Sequence, residues 1–145
     1  MPSEATNEAT RREWRELGYY YDRDDDAREW LLLGSVEGLL GFASAVRRYS
    51  ENPARAGLSE HEHFGPYWYL ELGTWNEPTI TDHWIAGPQS SLAQLALELE
   101  RLLGGAKVGD RISIRSSFAP EAPYEFTLVV QPAGHDPAKS DPACW

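Results

Sequence analysis

The chain has 145 residues, the size of one domain, and its content of 41% hydrophobic and 12% aromatic residues excludes an intrinsically disordered protein. Its formal net charge of -10 disfavours binding to nucleic-acid phosphates and suits either solubility alone or a basic protein partner. The single cysteine, Cys144, excludes an intrachain disulfide, and no apolar run reaches the ~20 residues of a membrane span, so we expect a cytoplasmic protein that does not bind membranes.

The first half of the chain is predicted to contain an N-terminal helix and then a strand–helix–strand–strand unit. Residues 1–20, rich in Glu, Ala and Arg, are typical of a short exposed helix. Within residues 28–75, Ser35 follows a strand and caps a helix whose apolar residues recur with the 3.6-residue period. Two further strands are separated at Gly65 and Pro66, because proline has no N–H for a strand ladder.

The second half repeats this order of elements in residues 82–132. Residues 133–145, rich in Pro and small residues, are predicted to be a loosely ordered tail. The repeated order predicts an internal duplication of a β-α-β-β unit, although two unrelated halves fit it as well. The predicted fold is α+β, with residues 1–145 in a single domain. Two helices would cover one face of a mostly antiparallel six-stranded sheet in a two-layer sandwich.

The uncovered face of this sheet is predicted to be a binding face. Strand alternation divides residues 67–72 between two sides, with Tyr67, Tyr69 and Glu71 on one and Trp68, Leu70 and Leu72 on the other. Aromatic side chains that carry a polar group are favoured at protein interfaces. The predicted anchors for a partner are Tyr67, Tyr69, Glu71 and Trp75. A partner protein, a second copy of the chain and the N-terminal helix are three alternatives for what covers this face.

An acidic run at residues 22–26 is predicted to be either a solvated loop or a second part of the binding surface. It begins like a calcium-binding loop, with carboxylates at the first, third and fifth positions. Ala27 and Leu33 stand where such a loop needs glycine and glutamate, so a calcium site is not expected. The predicted contacts with basic side chains of a partner are Asp24, Asp25 and Asp26.

A histidine pair gives the strongest indication of a metal site. His61 and His63 are two residues apart in a predicted strand, so their imidazoles project to one face. His83, from a neighbouring strand, is the candidate third ligand of a zinc site with one open position. The pattern is also common in polar strands with two partly exposed histidines, and a metal-dependent enzyme is the alternative that it raises.

The sequence contains no recognisable arrangement for nucleophilic catalysis. Ser35 lies at a strand–helix junction, but one position early for a nucleophile elbow, and it suits a helix cap better. Cys144 lies in the predicted tail, where no base is held against it. We therefore expect no catalytic residues and no cofactor.

Three segments of the second half follow one another as IAGPQSSLAQLALELERLL, VGDRISIR and APEAPYEFTLVV. In this order, residues 84–130 resemble the bacterial polymorphic-toxin immunity proteins of the family numbered immunity protein thirty-two. The resemblance implies a small cytoplasmic domain that binds a toxin and has no catalytic role. The strand after the Gly-Asp turn departs from the family, for which histidine and acidic residues are expected. This chain has Arg111, Ser113 and Arg115 there.

Together these features predict an immunity-like, non-enzymatic cytoplasmic protein that binds a basic protein, such as a nuclease-like toxin. The aromatic sheet face and the acidic run would make the contact. Two alternatives stay open. One is a metal-dependent enzyme centred on His61 and His63, and the other is a homodimer or larger homo-oligomer held together by the aromatic face.

Overall fold

Four α-helices are distributed along residues 3–145, the part of the chain that the computed structural model describes. They are α1 (Glu4–Leu17), α2 (Val36–Glu51), α3 (Gln89–Gly104) and α4 (Arg115–Phe118). Helix α2 begins after Ser35, whose hydroxyl accepts a hydrogen bond from the N–H of Gly38 at 3.1 Å, as predicted for a cap. Within this described part of the chain, no helix combines the length and the apolar character needed to cross a membrane.

Eight strands form two separate sheets within residues 3–145. The strands are β1 (Tyr19–Asp24), β2 (Glu29–Gly34), β3 (His61–Phe64), β4 (Leu70–Thr74), β5 (Thr79–Ile80), β6 (Trp84–Gly87), β7 (Arg111–Ser113) and β8 (Glu125–Val130). Sheet A has the order β1-β2-β8-β7, and sheet B has the order β3-β4-β6-β5. In each sheet the two central strands are parallel and the outer pairs are antiparallel. The predicted α+β class is confirmed, whereas the predicted single, mostly antiparallel six-stranded sheet is wrong.

Each sheet combines strands from both halves of the chain. The order strand–helix–strand–strand occurs in β2-α2-β3-β4 and again in β6-α3-β7-β8. Strand β2 pairs with β8, with Trp30 opposite Phe126, and β4 pairs with β6, with Leu72 opposite Ile85. Neither half therefore contains a complete sheet, and the two halves share both sheets. An origin by duplication stays a prediction.

One hydrophobic core joins both sheets to helices α2 and α3, which lie against each other. Phe42 of α2 stacks on Phe126 of β8 with ring centroids 5.5 Å apart, and Trp30 of β2 is fully buried beside them. Along β2, Trp30 and Leu32 are buried whereas Leu31 is partly exposed. One side of β2 thus faces the core, and its other side is partly exposed.

The N-terminal helix and the C-terminal segment pack against each other. The C-terminal segment forms two 3-10 helices, Pro137–Ser140 and Pro142–Cys144. Trp14 of α1 is fully buried, and its indole N–H donates a hydrogen bond to Oδ2 of Asp141 at 2.9 Å. The helix predicted within residues 1–20 is present as α1, but its Trp14 is buried, and residues 133–145, predicted to be a loosely ordered tail, contain the two 3-10 helices. The sequence did not reveal this packing, because both segments are polar in composition and the contact between them joins residues far apart in the sequence.

Candidate functional site

A group of aromatic side chains and histidines lies on the outer face of sheet B and its adjoining loops. We call it the histidine–tryptophan surface, and it consists of His61, His63, Trp68, Glu71, Trp75, His83 and Trp84. On β4, the side chains of Leu70 and Leu72 are fully buried, as strand alternation predicts. Glu71, between them, therefore projects to the outer face.

Trp84 lies flat against β4 because the residue beneath it is glycine. A Cβ atom at Gly73 would lie 2.2 Å from the Trp84 ring, so any larger residue would push the indole away from the sheet. The Trp84 ring in turn contacts Trp75, with centroids 5.7 Å apart, and is stacked by His83 at 5.0 Å. One end of the surface is therefore a row of packed rings rather than a set of independent side chains.

Trp68 extends the surface at its other end. Its φ of 61° places it in the left-handed region, outside β4, where strand alternation no longer decides which side a residue occupies. The indole therefore does not join Leu70 and Leu72 in the core. It stacks on the His63 imidazole, with centroids 5.5 Å apart, and is 67% exposed.

His61, His63 and Glu71 converge in the middle of the surface. The pairing of β3 with β4 places His63 directly opposite Glu71. The Nε2 atoms of His61 and His63 lie 3.6 and 3.5 Å from Oε1 of Glu71. His83 does not join this cluster, because its Nδ1 lies 3.0 Å from Oγ1 of Thr81 and its ring is stacked on Trp84. The structure thus brings Glu71 to the histidine pair, in place of the predicted His83.

A cleft of about 240 Å³ lies between β1 and residues 67–69. We call it the tyrosine cleft, and it is lined by Trp14, Tyr20, Tyr21, Asp22, Arg23, Trp30, Tyr67 and Tyr69. The Tyr67 hydroxyl donates to Oδ2 of Asp141 at 2.6 Å, and burial together with this hydrogen bond raises the pKa of Tyr67. Of the two predicted tyrosine anchors, Tyr67 therefore holds the C-terminal segment in place, while Tyr69 is 64% exposed.

The acidic run at residues 22–26 forms the end of β1 and the turn that leads to β2. Oδ1 of Asp24 accepts the N–H of Ala27 at 3.0 Å, which stabilises the turn. Asp25 accepts the Tyr124 hydroxyl at 2.7 Å and pairs with Arg23, and these contacts lower the pKa of Asp25. Of the three predicted contact residues, two therefore also stabilise the fold.

The acidic run lies next to the histidine–tryptophan surface. The guanidinium of Arg23 donates to the backbone carbonyl of Asp82, the residue before His83. The Asp82 and Asp25 side chains are 64% and 56% exposed. Exposed carboxylates thus border the aromatic rings on this side.

The convergence of Glu71 with the histidines is the part of the site that strand alternation alone missed. Alternation assigns a side to each residue of one strand, but only the pairing of two strands brings residues together. A hairpin that turned at Gly65 and Pro66 would have placed His63 opposite Trp68, and only the longer connection of residues 65–69 places His63 opposite Glu71. Comparisons of the chain with protein-family models, with curated proteins and with solved structures find no match.

Proposed function

We propose that the chain is a non-enzymatic binding protein that engages a basic protein through the histidine–tryptophan surface and the adjoining acidic run. The observation that supports this most directly is the joint exposure of large aromatic side chains on this surface: Trp68 is 67% exposed and Trp75 is 37% exposed. Tryptophan and tyrosine bury large areas at low entropic cost, so they supply much of the binding energy of protein interfaces.

The charge of the chain indicates the kind of partner. A net charge of -10 attracts basic proteins over distances of about a Debye length and repels nucleic acid. The exposed carboxylates of Asp25 and Asp82 lie beside the aromatic rings, as charged residues do at the rim of an interface. Such a rim increases the rate of association and selects partners by charge.

Neutralisation of a toxin is one form of this function. It is supported by the resemblance of residues 84–130 to immunity proteins and by the acidic charge, which suits a nuclease-like toxin with a basic surface. Those residues contribute Trp84 to the histidine–tryptophan surface, while the other six members precede them in the chain. A partner bound here would therefore be recognised mainly by residues outside the segment that carries the resemblance.

Replacing Trp68 and Trp75 together with alanine is expected to weaken binding of the partner at least about 30-fold, which corresponds to the loss of one interface hot spot of about 2 kcal/mol. The partner is first captured from a lysate of the native organism and identified. Its affinity for the wild-type chain and for the variant is then measured with purified components.

Leu97→Ala combined with Val108→Ala is the matched control, because these side chains are 57% and 63% exposed outside the proposed surface. We expect this variant to bind like the wild type. Equal affinities for the wild type and the tryptophan variant would contradict the proposal, as would an equal loss in the control. If the wild type is instead a dimer that the tryptophan variant converts to a monomer, the surface serves self-association.

A further inference from the structure

The histidines of the histidine–tryptophan surface have a fixed tautomer when they are neutral. Nδ1 of His61 lies 2.9 Å from the carbonyl oxygen of Ser59, and Nδ1 of His63 lies 3.0 Å from that of Trp68. A carbonyl oxygen only accepts hydrogen bonds, so Nδ1 of each ring carries the proton. Each Nε2 then presents a lone pair, and metal-binding histidines in proteins are commonly oriented by this kind of carbonyl contact.

The two Nε2 atoms lie close to the same carboxylate. Nε2 of His61 and Nε2 of His63 lie 3.6 and 3.5 Å from Oε1 of Glu71. These separations are longer than an N–H···O hydrogen bond, which spans about 2.7–3.2 Å. When both imidazoles are neutral, three groups that only accept hydrogen bonds therefore face one another, an arrangement that a bound cation would stabilise.

The spacing of the three groups fits a small metal ion. Two ligand atoms that each lie about 2.1 Å from a tetrahedral ion are about 3.4 Å apart. The two nitrogen–oxygen separations are close to this value, and the three ligand atoms all lie within 4.8 Å of one another. Little movement of the side chains is needed to bring each ligand atom to bonding distance.

We propose that His61, His63 and Glu71 bind one divalent first-row transition-metal ion of the zinc class. Two imidazole nitrogens and one carboxylate oxygen suit zinc and its neighbours, whereas calcium and magnesium require a shell of oxygen ligands. The histidine side chains are 45% and 36% exposed, so at least one coordination position faces solvent. Metal binding at this site does not require a partner protein, so it is testable on the chain alone.

The test is a calorimetric titration of the full chain, purified without a histidine tag, with ZnCl₂, followed by a CoCl₂ titration read by visible absorption. We expect saturation at one ion per chain and a Co²⁺ spectrum of four- or five-coordinate type. His63→Ala and Glu71→Gln are each expected to weaken Zn²⁺ binding at least about 100-fold, because each removes a direct ligand.

His83→Ala is the matched control, because His83 lies on the same surface but outside the cluster. Its Zn²⁺ affinity is expected to equal that of the wild type. The replaced side chains are at the surface, and circular dichroism of each variant checks that it has folded. Absence of saturable binding by the wild type would overturn the proposal. Equal losses in His83→Ala and His63→Ala would also overturn it.

Discussion

Replacing Gly38 with alanine is expected to lower the free energy of unfolding by about 3 kcal/mol, the upper part of the range for overpacking. A Cβ atom at position 38 would lie 2.0 Å from the carbonyl oxygen of Gly18. Gly18 has little room to move, because it ends helix α1 with a φ of 92° and donates its N–H to the Trp14 carbonyl at 3.0 Å. The added methyl group must therefore displace backbone rather than a flexible side chain.

Gly41→Ala is the matched control for this prediction. Gly41 lies in the same helix, and the nearest atom to its added Cβ would be the carbonyl oxygen of Leu17 at 3.9 Å, an ordinary contact. Alanine is expected to stabilise the protein there by about 0.5–1 kcal/mol, because it favours the helix over the unfolded chain. Urea denaturation of both variants measures the difference. Equal changes in the two variants would show that α2 and Gly18 are not in close contact.

Replacing Asp141 with alanine is expected to lower the free energy of unfolding by about 3 kcal/mol, because buried donors lose their acceptor. Asp141 is 4% exposed, and its Oδ2 accepts hydrogen bonds from the Trp14 indole and the Tyr67 hydroxyl. Its Oδ1 also accepts the N–H of Ala143 at the start of the last 3-10 helix. One carboxylate thus connects the N-terminal helix, the β3–β4 connection and the C-terminal segment.

Asp136→Ala is the control that separates the loss of a buried acceptor at Asp141 from the loss of an ordinary helix cap. Asp136 likewise accepts the N–H of Ala138 at the start of a 3-10 helix, but its ion pair is with Arg15, whose side chain is 50% exposed. We expect a loss of about 1 kcal/mol for this variant. Thermal denaturation of both variants makes the comparison. A loss in Asp136→Ala that equals or exceeds the loss in Asp141→Ala would contradict the assigned role of Asp141.

Local sequence patterns predicted α1, α2 and α3 because the signals of these helices are local, but they did not predict the short helix α4. Ser35 caps α2 as expected, and Gly18 ends α1 in the left-handed conformation that glycine adopts without strain. The alternation that buries Leu70 and Leu72 also held within β4. Each of these features depends on residues only a few positions apart, so composition and periodicity are enough to find it.

Sheet pairing was not predictable in the same way. Trp30 lies beside Phe126 because β2 and β8 are parallel neighbours, and nothing in either strand specifies the other. Strand β1 was missed because only Tyr19 and Tyr21 are buried, while its acidic end is exposed and looks like a loop. These two facts explain why the sequence predicted one antiparallel sheet, whereas the structure has two mixed sheets.

The candidate site shows the same limit. His61 and His63 were identified as candidate metal ligands from their spacing in one strand. Glu71, the third member of the cluster, was predicted to bind a partner protein instead. The cluster depends on the pairing of β3 with β4 and on the carbonyl contacts that orient the rings. Trp68 belongs to the surface because its own backbone is in the left-handed conformation, which no alternation pattern reveals.

Hydrogen–deuterium exchange of the chain alone and with its bound partner tests most directly whether the histidine–tryptophan surface is the binding face. We predict slower exchange in residues 61–69 and 81–84 when the partner is bound. Strand β7, an edge strand of sheet A, is expected to exchange at the same rate in both states. Slower exchange confined to β7 or to helices α2 and α3 would contradict the assignment of this surface as the binding face.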